Sequence, residues 1–276
     1  MTSHRNIPVT GVDSHAHVFG QALALTAARR YTPAYDATLA AWLGHLDAHG
    51  LSHGVLVQPS FLGTDNSYML AAIARAPHRL KGVAVVEEGA SAEQLDALAG
   101  QGIVGIRLNL IGKPMPDLGA PHWKPLLRKV AQMGWHVELH RQIEDIPALC
   151  RALLAQGCKV VIDHFGRPRA GLGVQHETFA QLLALGASER VWVKVSALYR
   201  LGGTATENLA FAEAAVPQLF EHFGERQLVW GSDWPHTQHE EQIDYASQVE
   251  LLERIAPQQR WRDSLMIEGP KALFGF

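Results

Sequence analysis

Eight short apolar runs punctuate the chain: residues 9–15 (VTGVDSH), 54–60 (GVLVQPS), 82–88 (GVAVVEE), 102–110 (GIVGIRLNL), 135–141 (WHVELHR), 160–166 (VVIDHFG), 191–197 (VWVKVSA) and 227–233 (QLVWGSD). Each is rich in Val, Ile or Leu and too short for a helix, as strands covered on both faces should be. Between them lie amphipathic segments, among them ATLAAWLGHLDAHG, NSYMLAAIARAP, SAEQLDALAGQG, HWKPLLRKVAQMG, IPALCRALLAQG and TFAQLLALGAS. Several close on Gly or Pro, the usual punctuation of helix ends. Strand–helix alternation implies parallel strands joined by crossovers. Eight such units predict an α/β fold, a (β/α)8 TIM barrel occupying residues 1–276 as one domain, with no linker or repeat to divide it. An open doubly wound sheet is the alternative, but the first strand lacks the glycine-rich turn that binds dinucleotides.

Barrels of this kind carry their chemistry at the carboxyl ends of the strands, and there the polar residues gather. The first strand ends in Asp13, His15 and His17, the second in Gln58 and Ser60, and the fourth in Arg107 and Asn109. Glu138, His140 and Arg141 end the fifth, Asp163 and His164 the sixth, Lys194, Ser196 and Arg200 the seventh, and Asp233 the eighth. Closure makes the first and eighth strands neighbours, so Asp233 is expected to face His15 and His17. Residues i and i+2 of a strand share a face roughly 6.5 Å apart. An isolated His-x-His is more often structural than catalytic. With His140, His164 and Asp233 at the same mouth, packing alone is a poor explanation, and the cluster is the candidate active site.

The imidazoles and the carboxylate suit one divalent ion, zinc first, bound by His15, His17, His164 and Asp233 with His140 as a further ligand. They equally suit metal-free chemistry, with the imidazoles donating to a carbonyl and Asp233 taking a proton from water. Spacing leaves both open. Arg107 on a buried strand needs an anion. Lys113 and Arg200 are expected at the same mouth, making with Ser60 a cradle for substrate carboxylates. The competing reading of Arg107 is a structural ion pair with Glu138 or Asp163. Tyr31 and Tyr35 lie in the loop after the first strand, where they pack or lid the pocket. His45, His49, His53, His78, His122 and His222 are assigned to helices or loops away from the chemistry. His236 either supports Asp233 or caps the next segment.

Composition narrows the partners. The chain is 47% hydrophobic and 18% charged, with a formal net charge of -3. No run of like charges suggests nucleic acid, and no apolar span suggests a membrane. Cys150 and Cys158 form no C-x-x-C unit, which fits a reducing compartment. A cytoplasmic protein acting on a small molecule is expected.

VDSHAHVFG, VIDHFGRP and VWGSDWPH together resemble the motifs of the amidohydrolase-related hydrolases. VLVQPSFLGTDNSYML, and GIRLNL followed by Lys113, are more narrowly similar to the 2-pyrone-4,6-dicarboxylate lactonase branch. The resemblance runs from about residue 12 to 240. It implies hydrolysis of a small anionic lactone, 2-pyrone-4,6-dicarboxylate or a related muconolactone, with His15, His17 and His164 polarising the carbonyl and Asp233 activating water. It places carboxylate binding on Ser60, Arg107 and Arg200. The superfamily generally uses divalent metals, while the pyrone lactonases resemble metal-independent members. Two positions depart from the branch: Lys113 stands where an arginine is expected, and His140 where a tyrosine is usual. A metal-dependent sugar-acid lactonase or a decarboxylase of the same superfamily is the alternative, and a non-catalytic metabolite-binding barrel a further one.

Overall fold

The computed structural model describes residues 7–276. Among these residues, eight parallel strands pair in sequence order: β1 (Val12–Ala16), β2 (His53–Val57), β3 (Leu80–Ala84), β4 (Ile103–Asn109), β5 (His136–His140), β6 (Lys159–Ile162), β7 (Val191–Ser196) and β8 (Leu228–Gly231). The seam between β8 and β1 closes just beyond the end of β8. Ala16 bridges Trp234 in parallel, His17 N donates to Trp234 O at 2.8 Å, and Asp233 N donates to His15 O at 2.8 Å. Gly231 makes that approach possible. A Cβ there would fall 2.6 Å from the His15 Cβ and 2.7 Å from its backbone nitrogen.

Asp13 ties the seam together from below. It accepts from Ser232 N (2.8 Å), Ser232 Oγ (2.6 Å), Trp42 Nε1 (3.0 Å) and Tyr245 Oη (3.1 Å). That one buried carboxylate fastens β1 to the β8 loop and to two outer helices, α1 (Leu39–Ala48) and α8 (Tyr245–Ile255). Five donated hydrogen bonds, His15 N included, offset part of its desolvation, and burial still raises the carboxyl.

The remaining crossover helices are α2 (Ser67–Arg75), α3 (Ala92–Ala99), α4 (Lys124–Gln132), α5 (Ile146–Ala155), α6 (Glu177–Leu183) and α7 (Ala205–Phe223). α3 and α7 both open on capping boxes, Ser91 with Gln94 and Thr204 with Glu207. The chain ends in α9 (Gln259–Asp263) and α10 (Gly269–Phe274). Leu273 and Phe274 pack with Val12, Val55, Val57, Val83, Val161 and Val229, and Lys81 Nζ donates to the Phe274 carbonyl at 2.9 Å. The C-terminus thereby plugs the amino end of the barrel and leaves the other end for chemistry.

Each of the eight apolar runs overlaps a strand, but β2, β3 and β6 begin one or two residues before their runs, and the strands stop short of the polar residues that close several runs. His53 departs from expectation: it is the first residue of β2, buried at the amino end of the barrel with Nδ1 against Ser52 Oγ at 2.7 Å. No helix among the described residues is long and apolar enough to cross a membrane.

Candidate active site

At the carboxyl end of the strands lies a cavity of about 290 Å³, floored by His17, His164 and Asp233 and walled by Ser60, His140 and Tyr199. Four guanidinium groups line it: Arg30, Arg107, Arg167 and Arg200. Backbone strain is concentrated at this mouth. His164, Phe165, Arg167, Ala197, Asp233 and His236 all hold positive φ, between 50° and 63°, without being glycine. Such conformations cost about 1–3 kcal/mol each and persist where the surroundings enforce them. Of these residues His164, Arg167 and Asp233 line the cavity.

Asp233 Oδ1 lies 3.6 Å from His15 Nε2 and 3.5 Å from His17 Nε2, and the two ring nitrogens are 3.3 Å apart. The other oxygen, Oδ2, accepts from Tyr199 Oη at 2.7 Å and from Arg200 Nε. Burial alone would raise the Asp233 carboxyl, but Arg200, then His164, His17 and His15, outweigh it and hold it well below the usual carboxylate range. Burial drives the imidazoles the other way: His164 falls to about 3, and His15 and His140 fall well below the ordinary histidine value, helped by Lys194 and Arg107 respectively. The resting site is therefore an ionised carboxylate among neutral rings.

Beneath it runs a buried ionic layer. Lys194 Nζ donates to Glu138 Oε1, lies 3.2 Å from Asp163 Oδ1, and donates to His15 Nδ1 at 2.9 Å. Arg107 Nε and Nη2 both donate to Asp163 Oδ2, at 3.0 and 2.8 Å. These partners assign the ring hydrogens. An ammonium accepts nothing, so His15 Nδ1 is the acceptor and Nε2 carries the hydrogen. His17 Nδ1 faces the Val57 carbonyl at 2.7 Å, so its hydrogen is on Nδ1 and Nε2 is the acceptor. The 3.3 Å contact between the rings is then a hydrogen bond from His15 to His17. Arg167 Nη1 donates to His140 Nε2 at 3.3 Å, which fixes that ring too.

A divalent ion would draw on His15 Nε2, His17 Nε2 and Asp233 Oδ1, and their separations suit it. Adjacent tetrahedral ligands at about 2.0–2.1 Å from zinc stand about 3.3–3.4 Å apart. Hydrogen-bond polarity does not suit it. A metal-bound histidine normally donates its far N–H to a carbonyl or carboxylate. His17 is arranged that way, but His15 receives a hydrogen bond from Lys194 and turns an N–H, not a lone pair, toward the would-be ion. The other grouping, His15, Asp163 and His164, has its carboxylate engaged by Arg107 and Lys194. As arranged, the donor set does not fit a metal.

Residues 12–276 match the Amidohydrolase family model. The chain belongs to the amidohydrolase family. It is 32% identical to the 2-pyrone-4,6-dicarboxylate hydrolase of Comamonas testosteroni, over 97% of this chain and 91% of that one. Two solved structures carry a provisional description as 2-pyrone-4,6-dicarboxylic acid hydrolase. One, from Pseudomonas putida, is 51% identical with a TM-score of 0.93 and covers 98% of both chains. The other, from Acinetobacter baumannii with citric acid bound, is 42% identical with a TM-score of 0.93, over 96% of this chain and 99% of that one. The chain is thus an amidohydrolase-family hydrolase.

Within this amidohydrolase barrel His15, His17, His140, His164 and Asp233 come together as the sequence predicts. Arg107 does two things at once: it pairs with Asp163 and it lines the cavity. Ser60 and Arg200 also line it, but Arg200 is already paired with Asp233. Lys113 stands apart. It is exposed, does not line the cavity, and its carbonyl accepts from Arg141 Nη1 at 2.6 Å. Tyr31 lines the cavity and donates its hydroxyl to Glu240, linking the loop after β1 to the loop after β8. His236 reaches the carboxylate indirectly, through Tyr199 Oη at 3.2 Å.

Three contributors were passed over in the sequence. Tyr199 sits beside Arg200 in the turn after β7 and carried no motif signal. Arg167 lies in VIDHFGRP, where its position three residues after His164 was an available clue. Arg30 comes from an irregular loop and reaches the site by donating Nη2 to Asn109 Oδ1 at 2.9 Å, a contact no local pattern announces.

Proposed function

We propose that this amidohydrolase opens the lactone ring of a small substrate carrying two carboxylates, with 2-pyrone-4,6-dicarboxylate the substrate the site suits best. The observation that carries the reading is the pairing of one ionised carboxylate base with four guanidinium groups around a single small cavity. Arg107 and Arg200 are already paired with Asp163 and Asp233, which among the described residues leaves Arg30 and Arg167 without a carboxylate partner. Burial together with Arg200 and Arg30 pulls Arg167 down to about 10. A dianion relieves that repulsion through charge-assisted, fork-like hydrogen bonds. A sugar-acid lactone, with one carboxylate at most to spare, leaves more of the positive charge unanswered.

In this reading the substrate carboxylates engage Arg30, Arg107 and Arg167, with Ser60 and Arg200 completing the cradle, and hold the ring carbonyl over the floor. A water lodged against Asp233 Oδ1 attacks that carbonyl, and Asp233 takes its proton. His164 donates to the oxygen on which charge develops, while the N–H of His15 holds His17 and Asp233 from beneath. Collapse of the tetrahedral intermediate breaks the ring C–O bond, the proton held by Asp233 passes to the leaving oxygen, and an open-chain acid results. A related muconolactone bearing two anions would be handled by the same groups.

The test is loss of pyrone absorbance when the protein meets 2-pyrone-4,6-dicarboxylate, run with and without a chelator. Turnover in both arms supports the reading. Turnover abolished by chelation would reinstate a metal among the histidines. No turnover in either arm would overturn the substrate assignment and direct attention to sugar-acid lactones and to a non-catalytic binding role.

A further inference from the structure

We propose that Lys194 is a positioning residue: it fixes His15 in the tautomer whose Nε2 carries the hydrogen, and so turns that buried ring into a donor toward His17 and Asp233, which line the cavity above it. The use of that arrangement in lactone hydrolysis rests on the function proposed above; the tautomer itself is a property of the resting protein.

Lys194 is fully buried inside the barrel. It donates to Glu138 Oε1 and to His15 Nδ1 at 2.9 Å, and lies 3.2 Å from Asp163 Oδ1, so it meets three other strands or strand ends. Burying a cation costs several kcal/mol unless it is fully paired. Two carboxylates supply that pairing here. An ammonium has no lone pair, so it leaves His15 Nδ1 no role but acceptance. The arrangement is asymmetric in a way simple packing does not require. His17, two residues on, has the opposite tautomer because its Nδ1 meets a carbonyl instead. The two rings are thereby made complementary, one donor and one acceptor, at 3.3 Å. Without Lys194, Asp163 Oδ1, 3.6 Å from His15 Nδ1, would compete for the ring hydrogen with His17 Nε2 and Asp233 Oδ1, at 3.3 and 3.6 Å from Nε2.

The direct test is long-range 1H–15N correlation on the substrate-free protein labelled at histidine nitrogen, with the His15→Gln variant assigning the resonances. The expected result is an unprotonated Nδ1 and a protonated Nε2 on His15; a protonated Nδ1, alone or with Nε2, would overturn the proposal. This result does not depend on any substrate, so it stands apart from failure of the lactonase reading. The second arm is Lys194→Met, with Lys194→Met/Glu138→Gln to remove the stranded carboxylate charge if the single variant does not fold. Loss of the His15 signature, with kcat down about 10²-fold, the lower end of what a positioned base contributes, and KM within a few-fold, supports the role. A folded variant that keeps both signature and kcat makes Lys194 merely structural.

Discussion

Arg200 and Asp233 form an ion pair in the resting protein, Nε to Oδ2, so a guanidinium expected to hold substrate is already bound to the base. Tyr199 Oη donates to the same oxygen, which leaves Oδ1 to face His15 and His17. A carboxylate held this firmly in its charged form is a weak base. In the proposed reaction its strength must rise when substrate arrives, and an incoming carboxylate that draws on Arg200 would do this. Binding and activation of the base are then one event.

Arg200→Met separates the two. Removing the neighbouring positive charge favours the protonated form of Asp233, so the acid limb of kcat/KM, which reports the free enzyme, moves to higher pH. KM rises at the same time, by about 10-fold or more for a lost charged hydrogen bond. Superimposable pH profiles would show that Arg200 does not govern the base.

Arg30 and Lys113 make a matched pair. Arg30 lines the cavity and Lys113 faces solvent away from it. Arg30→Ala should raise KM by about 10-fold or more with kcat little changed, whereas Lys113→Ala should leave both within a factor of about two. The reverse ordering in steady-state kinetics would restore Lys113 to the cradle.

Acid should loosen the fold well before the carboxylates titrate. Burial lowers His164 to about 3 and His236 to about 4, against 6.5 for an ordinary histidine. Below pH 6.5 the unfolded chain therefore binds protons that the folded one refuses, and stability falls as pH falls toward those folded values. Each such ring contributes a loss of roughly 2 kcal/mol between pH 6.5 and 5. Asp163 and Asp233 are lowered instead, so their stabilisation is present above the ordinary carboxylate value of 3.8 and is lost only below it. Urea unfolding at pH 7, 6 and 5 checks this; a flat profile would contradict the neutral, buried assignment.

The barrel was legible because each of its strands needs apolar side chains on both faces, and eight runs of that kind have few other uses. His15, His17 and Asp233 were legible because barrel closure makes the first and last strand ends neighbours, and His164 because all the strands open their carboxyl ends on one mouth. What escaped lay in the loops. Lys113 has the right charge and the right sequence neighbourhood, yet the turn at 111–114 carries it outward. Arg30, without any motif, is carried inward by a loop held through Asn109 and Tyr31. Lys194 was visible as a charge in an apolar strand, but its significance depends on facing His15 across the barrel, which only the closed fold supplies.

The most direct test of the account is Asp233→Asn measured beside the native protein on 2-pyrone-4,6-dicarboxylate, with binding followed by calorimetry in the same preparations. The amide cannot accept the proton from water, so turnover should fall by about 10²–10⁴-fold while the substrate still binds. A variant that binds and turns over within a few-fold of the native rate would remove Asp233 from the chemistry and the mechanism with it.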